Sequence, residues 1–240
     1  MTPSNKLYAQ ICLFCNMKCP HCCYSCNKNG KHMERHVWQQ ALQFAEEYDS
    51  EVTVIGGGEP TLHPDFFEIL EDCLRSFNYV WMATNGSQTK TMRRLADILN
   101  GEDYHGEYDE GICLKNHDQF CVALSLDYFH DPIDEKIETL WKHRSERRGS
   151  GYEIRDVTKS PNGPIATGRA KKTQSGWATG CCCSEVMIIP SGKIKLCGCR
   201  NSPIIGDVHF GIEDKWKEYM DTDKYRDTNC FNGELISAHT

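Results

Sequence analysis

Long hydrophobic runs, an excess of positive charge and an export signal are all missing from this sequence. No window approaches the roughly 20 consecutive apolar residues of a membrane-spanning helix, so no membrane partner is expected. Lys and Arg number 27 against 34 Asp and Glu, a net charge of -7, which weighs against nucleic acid as a partner because such a footprint needs a broad basic face. The basic stretches are local, Lys142–Arg148 and Arg169–Lys172, and the first reads as a solvated helix end. No apolar h-region of an export signal follows the polar start Met1–Lys6, which leads us to expect a cytoplasmic protein. Internal repeats and low-complexity stretches are absent as well.

Cysteine, by contrast, is abundant, with 15 in 240 residues. In a reducing compartment thiols stay free, so metal binding rather than a disulfide framework is the default reading. The densest group is Cys15-Asn16-Met17-Lys18-Cys19-Pro20-His21-Cys22, spaced Cys-x3-Cys-x2-Cys. Three thiolates in one tight loop can hold three irons of a 4Fe-4S cube and leave the fourth without a protein ligand. A zinc site stays open on spacing alone, since Cys12 with Cys15, Cys19 with Cys22 and Cys23 with Cys26 are also zinc-like pairs.

The chain is long enough for one large domain, or one domain with a small appendage. Leu7–Leu13 reads as a strand leading into the cysteine loop, and Met33–Tyr48 has the apolar period of a helix. A second strand, Val52–Ile55, runs into Gly56-Gly57-Gly58-Glu59-Pro60, and a helix opens with Pro64. Tyr79–Ala83 is a third strand, ending in Thr84-Asn85-Gly86 before a helix that stops at Asn100-Gly101. Gly101–Asp118 reads as an inserted loop. Phe120–Leu126 is the fourth strand, followed by a helix capped by Asp131 with Pro132 at its first position, and Tyr152–Val157 the fifth. No amphipathic helix is evident in Lys159–Gly180. Val186–Ile189 and Lys193–Leu196, joined by Pro190-Ser191-Gly192, form a β-hairpin, and a helix bearing Ile212, Trp216, Tyr219 and Met220 follows. This order predicts an α/β fold, a partial (βα) barrel of five to six parallel strands with a small carboxyl-terminal hairpin and helix, and a ligand site at the carboxyl ends of the strands.

Taken in order, these motifs resemble the radical S-adenosylmethionine (radical SAM) enzymes. The resemblance makes Cys15, Cys19 and Cys22 ligands of a 4Fe-4S cluster whose open iron is chelated by SAM. It makes Gly57-Gly58-Glu59 the segment that meets the amino group of SAM, a role that suits Gly for close backbone approach and Glu as an acceptor. Thr84 and Asn85 are expected to line the cavity, although Asn-Gly is also a turn dipeptide. Ser125 and Asp127 resemble the position that bonds the SAM ribose, with a strand-end turn as the plain alternative. Arg169 resembles a segment near the methionine carboxylate.

Cys182, Gly192 and Cys197 resemble the start of a SPASM or Twitch region, the auxiliary-cluster extension of some radical SAM enzymes. Only Cys230 remains downstream, which fits a shortened, single-cluster version. Its ligands would be Cys182, Cys197 and Cys230, with Cys199, Cys181 or Cys183 as the fourth, and a zinc knuckle on the same cysteines is the alternative. The implied division is 1–175 for the barrel and 176–240 for the auxiliary region. Cys12, Cys23, Cys26, Cys73, Cys113 and Cys121 read as core or loop thiols, His21 as a cavity-lining side chain, and His63 and His130 as candidate proton carriers. The resemblance implies an enzyme that reductively cleaves SAM to a 5'-deoxyadenosyl radical, which takes a hydrogen atom from a peptide or small polar metabolite. It also implies an electron donor such as flavodoxin or ferredoxin. A glycyl-radical-enzyme activating protein and a non-catalytic zinc-stabilised binding module are the competing readings.

Overall fold

Alternation sets the first strand, β1 (Asn5–Cys12): Leu7, Ala9 and Ile11 are buried in the core, while Tyr8 lies on the other face and lines a cavity. The computed structural model describes residues 5–101, 112, 114–115, 118–159, 164, 166–176 and 185–220. Strand and helix then alternate as β2 (Ser50–Gly57), β3 (Tyr79–Thr84), β4 (Phe120–Ser125) and β5 (Tyr152–Arg155), with helices α1 (Arg35–Glu47), α2 (Phe66–Ser76), α3 (Thr89–Leu99) and α4 (Glu135–Ser145). A short helix, α5 (Gly168–Lys172), precedes β6 (Val186–Ile188), β7 (Lys193–Lys195), β8 (Ile204–Asp207), β9 (Gly211–Ile212) and α6 (Asp214–Met220).

Among the described residues the nine strands form one sheet in the order β5-β4-β3-β2-β1-β6-β7-β8-β9. The first six positions pair in parallel and the rest antiparallel. The fold is therefore α/β with a mostly parallel sheet, as a partial barrel requires, and its antiparallel strands come at the carboxyl-terminal side. Five to six parallel strands were expected, with Val186–Ile189 as one arm of a hairpin; that this strand also pairs in parallel was not. The sixth, β6, joins beside β1 rather than beyond β5, with Leu7 opposite Val186 and Ala9 opposite Ile188. The hairpin β6–β7 thus continues the sheet, and β8 and β9 extend it further.

The helices carry the apolar stripes read from the sequence: Val37, Trp38, Ala41, Phe44 and Ala45 on α1, and Phe66, Ile69, Leu70, Cys73 and Leu74 on α2. Trp38 joins the two by donating its indole N–H to Asp72 Oδ2 at 2.9 Å. Helix α3 ends as predicted, with Gly101 at φ +67 just beyond the cap Asn100. Three local expectations change. Helix α2 begins at Phe66, after one 3-10 turn at Pro60–Leu62, rather than at Pro64. The cap of α4 is Asp134, whose carboxylate accepts from the Lys136 N–H at 2.9 Å, rather than Asp131. Ile212 belongs to β9, where it opposes Gly206, and not to the last helix. Among the described residues no helix is long and apolar enough to cross a membrane.

Candidate active site at the carboxyl ends of the strands

The cysteine loop leaves β1 and is closed at its base by backbone hydrogen bonds, Leu13 N–H to Lys31 O at 2.7 Å, Cys15 N–H to Asn27 O at 3.0 Å and Met33 N–H to Ile11 O at 2.7 Å. Inside it, Cys22 N–H donates to Cys19 O at 3.2 Å. Cys15 and Cys26 are buried, and Cys19, Cys22 and Cys23 half-buried. All five line one cavity of about 230 Å³. Among the described residues no three His, Cys, Asp or Glu side chains converge closely enough to hold a single ion. The thiols of Cys15, Cys19 and Cys22 line the same cavity. The donor set fits a cluster held by three thiolates.

Burial pushes the Cys15 thiol up to about 11 and Cys19 up to about 12. Cys22 is drawn down by the Cys26 thiol hydrogen-bonded to it, against burial, with the N–H groups of Cys26 and Tyr24 and the charge of Arg169 adding to the effect. Cys26 is raised correspondingly. Metal binding takes the thiolate form, so each of these thiols gives up its proton as metal binds.

The end of β2 lies against this loop. Gly58 N–H donates to Cys12 O and Glu59 N–H to Phe14 O, each at 2.8 Å. A Cβ at Gly57 (φ +148) would stand 2.3 Å from Cys12 O, and one at Gly58 would stand 2.1 Å from Phe14 O. The close backbone approach expected here is therefore made first to the cysteine loop itself. Glu59 is 1% exposed. Its Oε1 accepts from Thr61 N–H (3.2 Å), Thr61 Oγ1 (2.6 Å) and Thr84 Oγ1 (2.7 Å), and its Oε2 from Asn85 N–H (2.6 Å). Burial raises this carboxyl above the usual range, and those four donors work against the rise. Asn85 also donates to Asn16 Oδ1 at 3.1 Å, and Asn16 donates to Ser87 Oγ at 2.9 Å, which ties the β3 end to the loop. Asn16 escaped the sequence reading, although its place between Cys15 and Met17 was a signal.

Ser125, at the end of β4, lines the cavity, as do Gly57, Gly58, Glu59, Thr84, Asn85 and Arg169. Asp127 does not. Its side chain is 1% exposed, with Oδ1 2.8 Å from His130 Nδ1 and accepting from Phe129 N–H at 2.9 Å, while Oδ2 accepts from Val157 N–H at 3.4 Å. This is the strand-end turn, and it presents His130 to the cavity, where the His21 ring lies 5.0 Å away. Burial, with His130 nearby, lowers His21 to about 4. His63 is outside the cavity lining: its Nε2 meets Met33 O at 2.9 Å and its Nδ1 accepts from Asp65 N–H at 3.1 Å, so both ring nitrogens are engaged.

Helix α5 was not anticipated, and it carries Arg169. The guanidinium donates to Cys19 O at 2.8 Å and Cys26 O at 3.0 Å. Of the second cysteine group, Cys197 and Cys199 are buried just beyond β7. Cys181, Cys182, Cys183 and Cys230 lie outside the described residues. The turn after β7 touches the first loop: Tyr24 donates its hydroxyl to Gly198 O, and Arg200 Nη1 donates to Ser25 Oγ at 2.8 Å. Lys195 is buried beside these cysteines and donates to the carbonyls of Cys199 and Arg200.

A family model of the Radical SAM superfamily matches residues 10–103, from β1 through the end of α3. Members of that superfamily are enzymes, and the family implies a 4Fe-4S cluster and SAM. The chain is 30% identical over 132 residues to a Methanocaldococcus jannaschii protein whose name proposes it as a glycyl-radical enzyme activating enzyme. The match takes 55% of this chain and 48% of that protein, so the chain spans about half the length of the curated relative. Two solved structures are similar in fold. BtrN in complex with AdoMet and 2-DOIA gives a TM-score of 0.61 at 12% identity, covering 94% of this chain and 85% of that one. Native anSMEcpe with bound AdoMet and Cp18Cys peptide gives 0.55 at 14% identity, covering 96% and 84%.

Proposed function

We propose that this chain is a radical SAM enzyme. The observation that carries the reading is the meeting, in one cavity, of the thiols of Cys15, Cys19 and Cys22 with the Gly57–Glu59 segment, Thr84, Asn85 and Ser125. Cys15, Cys19 and Cys22 would hold a 4Fe-4S cluster, which would supply the electron for reductive cleavage of SAM to methionine and a 5'-deoxyadenosyl radical, and that radical would take a hydrogen atom from the substrate. Gly57, Gly58 and Glu59 close the cavity on the side of β2 and offer acceptors to the amino group of SAM. Ser125 offers a hydroxyl toward the ribose. Asp127 supports that side indirectly through His130, because its own carboxylate is taken up by the turn.

The substrate class we favour is a peptide or a small polar metabolite, with flavodoxin or ferredoxin as electron donor. Cys182, Cys197, Cys199 and Cys230 would hold a second, auxiliary 4Fe-4S cluster in a Twitch-like region at 176–240. The placement of Cys197 and Cys199 beside the first loop supports this, as does the continuation of the sheet through β9. The activating-enzyme reading is favoured by one observation, the name of the Methanocaldococcus jannaschii relative; there the substrate would be a glycine of a partner protein.

Anaerobic reconstitution with iron and sulfide, followed by dithionite and SAM, tests the proposal. Brown protein that releases 5'-deoxyadenosine and methionine is expected, and changing Cys15, Cys19 and Cys22 together to Ala should abolish the release. The parent should carry iron for close to two clusters, and the triple variant about half of that. Colourless, zinc-loaded protein, or release that survives the triple substitution, contradicts the reading.

A further inference from the structure

The cysteine loop is held at carbonyls as well as at its base. Arg169 Nε and Nη1 donate to Cys19 O and Cys26 O, and the backbone N–H groups of Arg169 and Ala170 reach Cys22 O at 3.1 and 3.4 Å. Thr173 Oγ1 donates to Pro20 O at 2.8 Å and Thr167 Oγ1 to Cys23 O at 3.4 Å. Gly168 (φ +57) lets the chain come this close, since a Cβ there would stand 2.1 Å from Cys23 O. Five carbonyls, from Cys19 to Cys26, thus point at one short helix. Its only side chain bridging two of them is a guanidinium, a planar fork whose charge strengthens both bonds.

We propose that Arg169 is a positioning residue that fixes the cysteine loop before SAM arrives and places a permanent positive charge beside the thiolates of Cys15, Cys19 and Cys22. The charge half of this rests on the radical SAM reading above; the positioning half stands on the chain alone. Two of the five guanidinium N–H donors are committed to the loop, and the residue also lines the cavity. The resemblance in sequence placed Arg169 at the carboxylate of SAM; the geometry makes the loop its first partner. Thiolates and bridging sulfides make the cluster region negative, more so after reduction. A fixed cation beside the cluster therefore favours the reduced state.

Two variants and two readouts test this. In the metal-free full-length protein, hydrogen exchange of amides in residues 19–26 should speed up roughly tenfold in both Arg169→Gln and Arg169→Lys, because neither replacement reproduces the fork. In the reconstituted protein without SAM, the ratio of reduced to oxidised cluster at a fixed mediator potential should fall roughly tenfold in Arg169→Gln, about 59 mV for one electron. Arg169→Lys, which keeps the charge, should restore most of that ratio. Parental exchange in both variants overturns the positioning role, including the case in which SAM affinity alone is lost. A parental ratio in Arg169→Gln overturns the electrostatic role. If the parent holds no iron-sulfur cluster, the proposed function fails, and the exchange comparison still decides whether Arg169 positions the loop.

Discussion

Asp127 shows how a side chain's partner can lie out of reach of its type. An Asp at a strand end suits a ribose hydroxyl or a turn equally well, and the choice is made by His130, three residues on, and by the N–H groups of Phe129 and Val157. Burial works to raise this carboxyl, but the His130 imidazole and those N–H groups outweigh it and hold the group below its ordinary value. A carboxyl depressed in the folded state adds stability above its unfolded value of about 3.9, and that stability is lost as pH falls through the lower folded value. Urea unfolding of the parent and Asp127→Asn should therefore differ most near pH 6, and the difference should shrink as pH falls below the unfolded value of about 3.9. A difference that stays constant or grows toward pH 3 would contradict the assignment. The cysteines were legible for the opposite reason: Cys15, Cys19 and Cys22 share one loop, so spacing alone brings them together, whereas Asn16 and Arg169 reach that loop through contacts that spacing does not encode.

Among the elements, helices α1, α2 and α3 could be read from apolar period, because each buries one continuous face. Helix α5 could not, since five residues do not complete two turns and only Ala170 is buried. The partner of β6 was hidden as well, because a short buried strand carries no mark of which edge it will join. The ends of β2 and β3 are tied by Glu59, whose carboxylate accepts from Thr61, Thr84 and Asn85. Glu59→Ala would leave these buried donors without their acceptor, at a cost of roughly 1–3 kcal/mol for each group so stranded. The metal-free variant should unfold at clearly lower urea than the parent, and SAM affinity should fall because the cavity wall loses its tie. Parental unfolding with SAM binding lost would mean that the carboxylate serves the ligand alone.

At the scale of the whole molecule, one sheet carries the cavity and the carboxyl-terminal strands together, with β1 between them. The cysteine loop, rising from that central strand, meets the glycine segment of β2 on one side and the turn after β7 on the other. The sequence order of motifs already pointed to strand ends facing one cavity. The neighbourhood of the two cysteine groups did not follow from that order, because it depends on β6 closing beside β1. The central claim is that three thiolates leave one iron open to SAM. The most direct measurement is the electron paramagnetic resonance spectrum of the anaerobically reduced protein, recorded without and with SAM. The account predicts a reduced-cluster signal that depends on Cys15, Cys19 and Cys22 and changes shape when SAM is added; a signal that SAM leaves untouched, or no cluster signal from fully reconstituted protein, would contradict it.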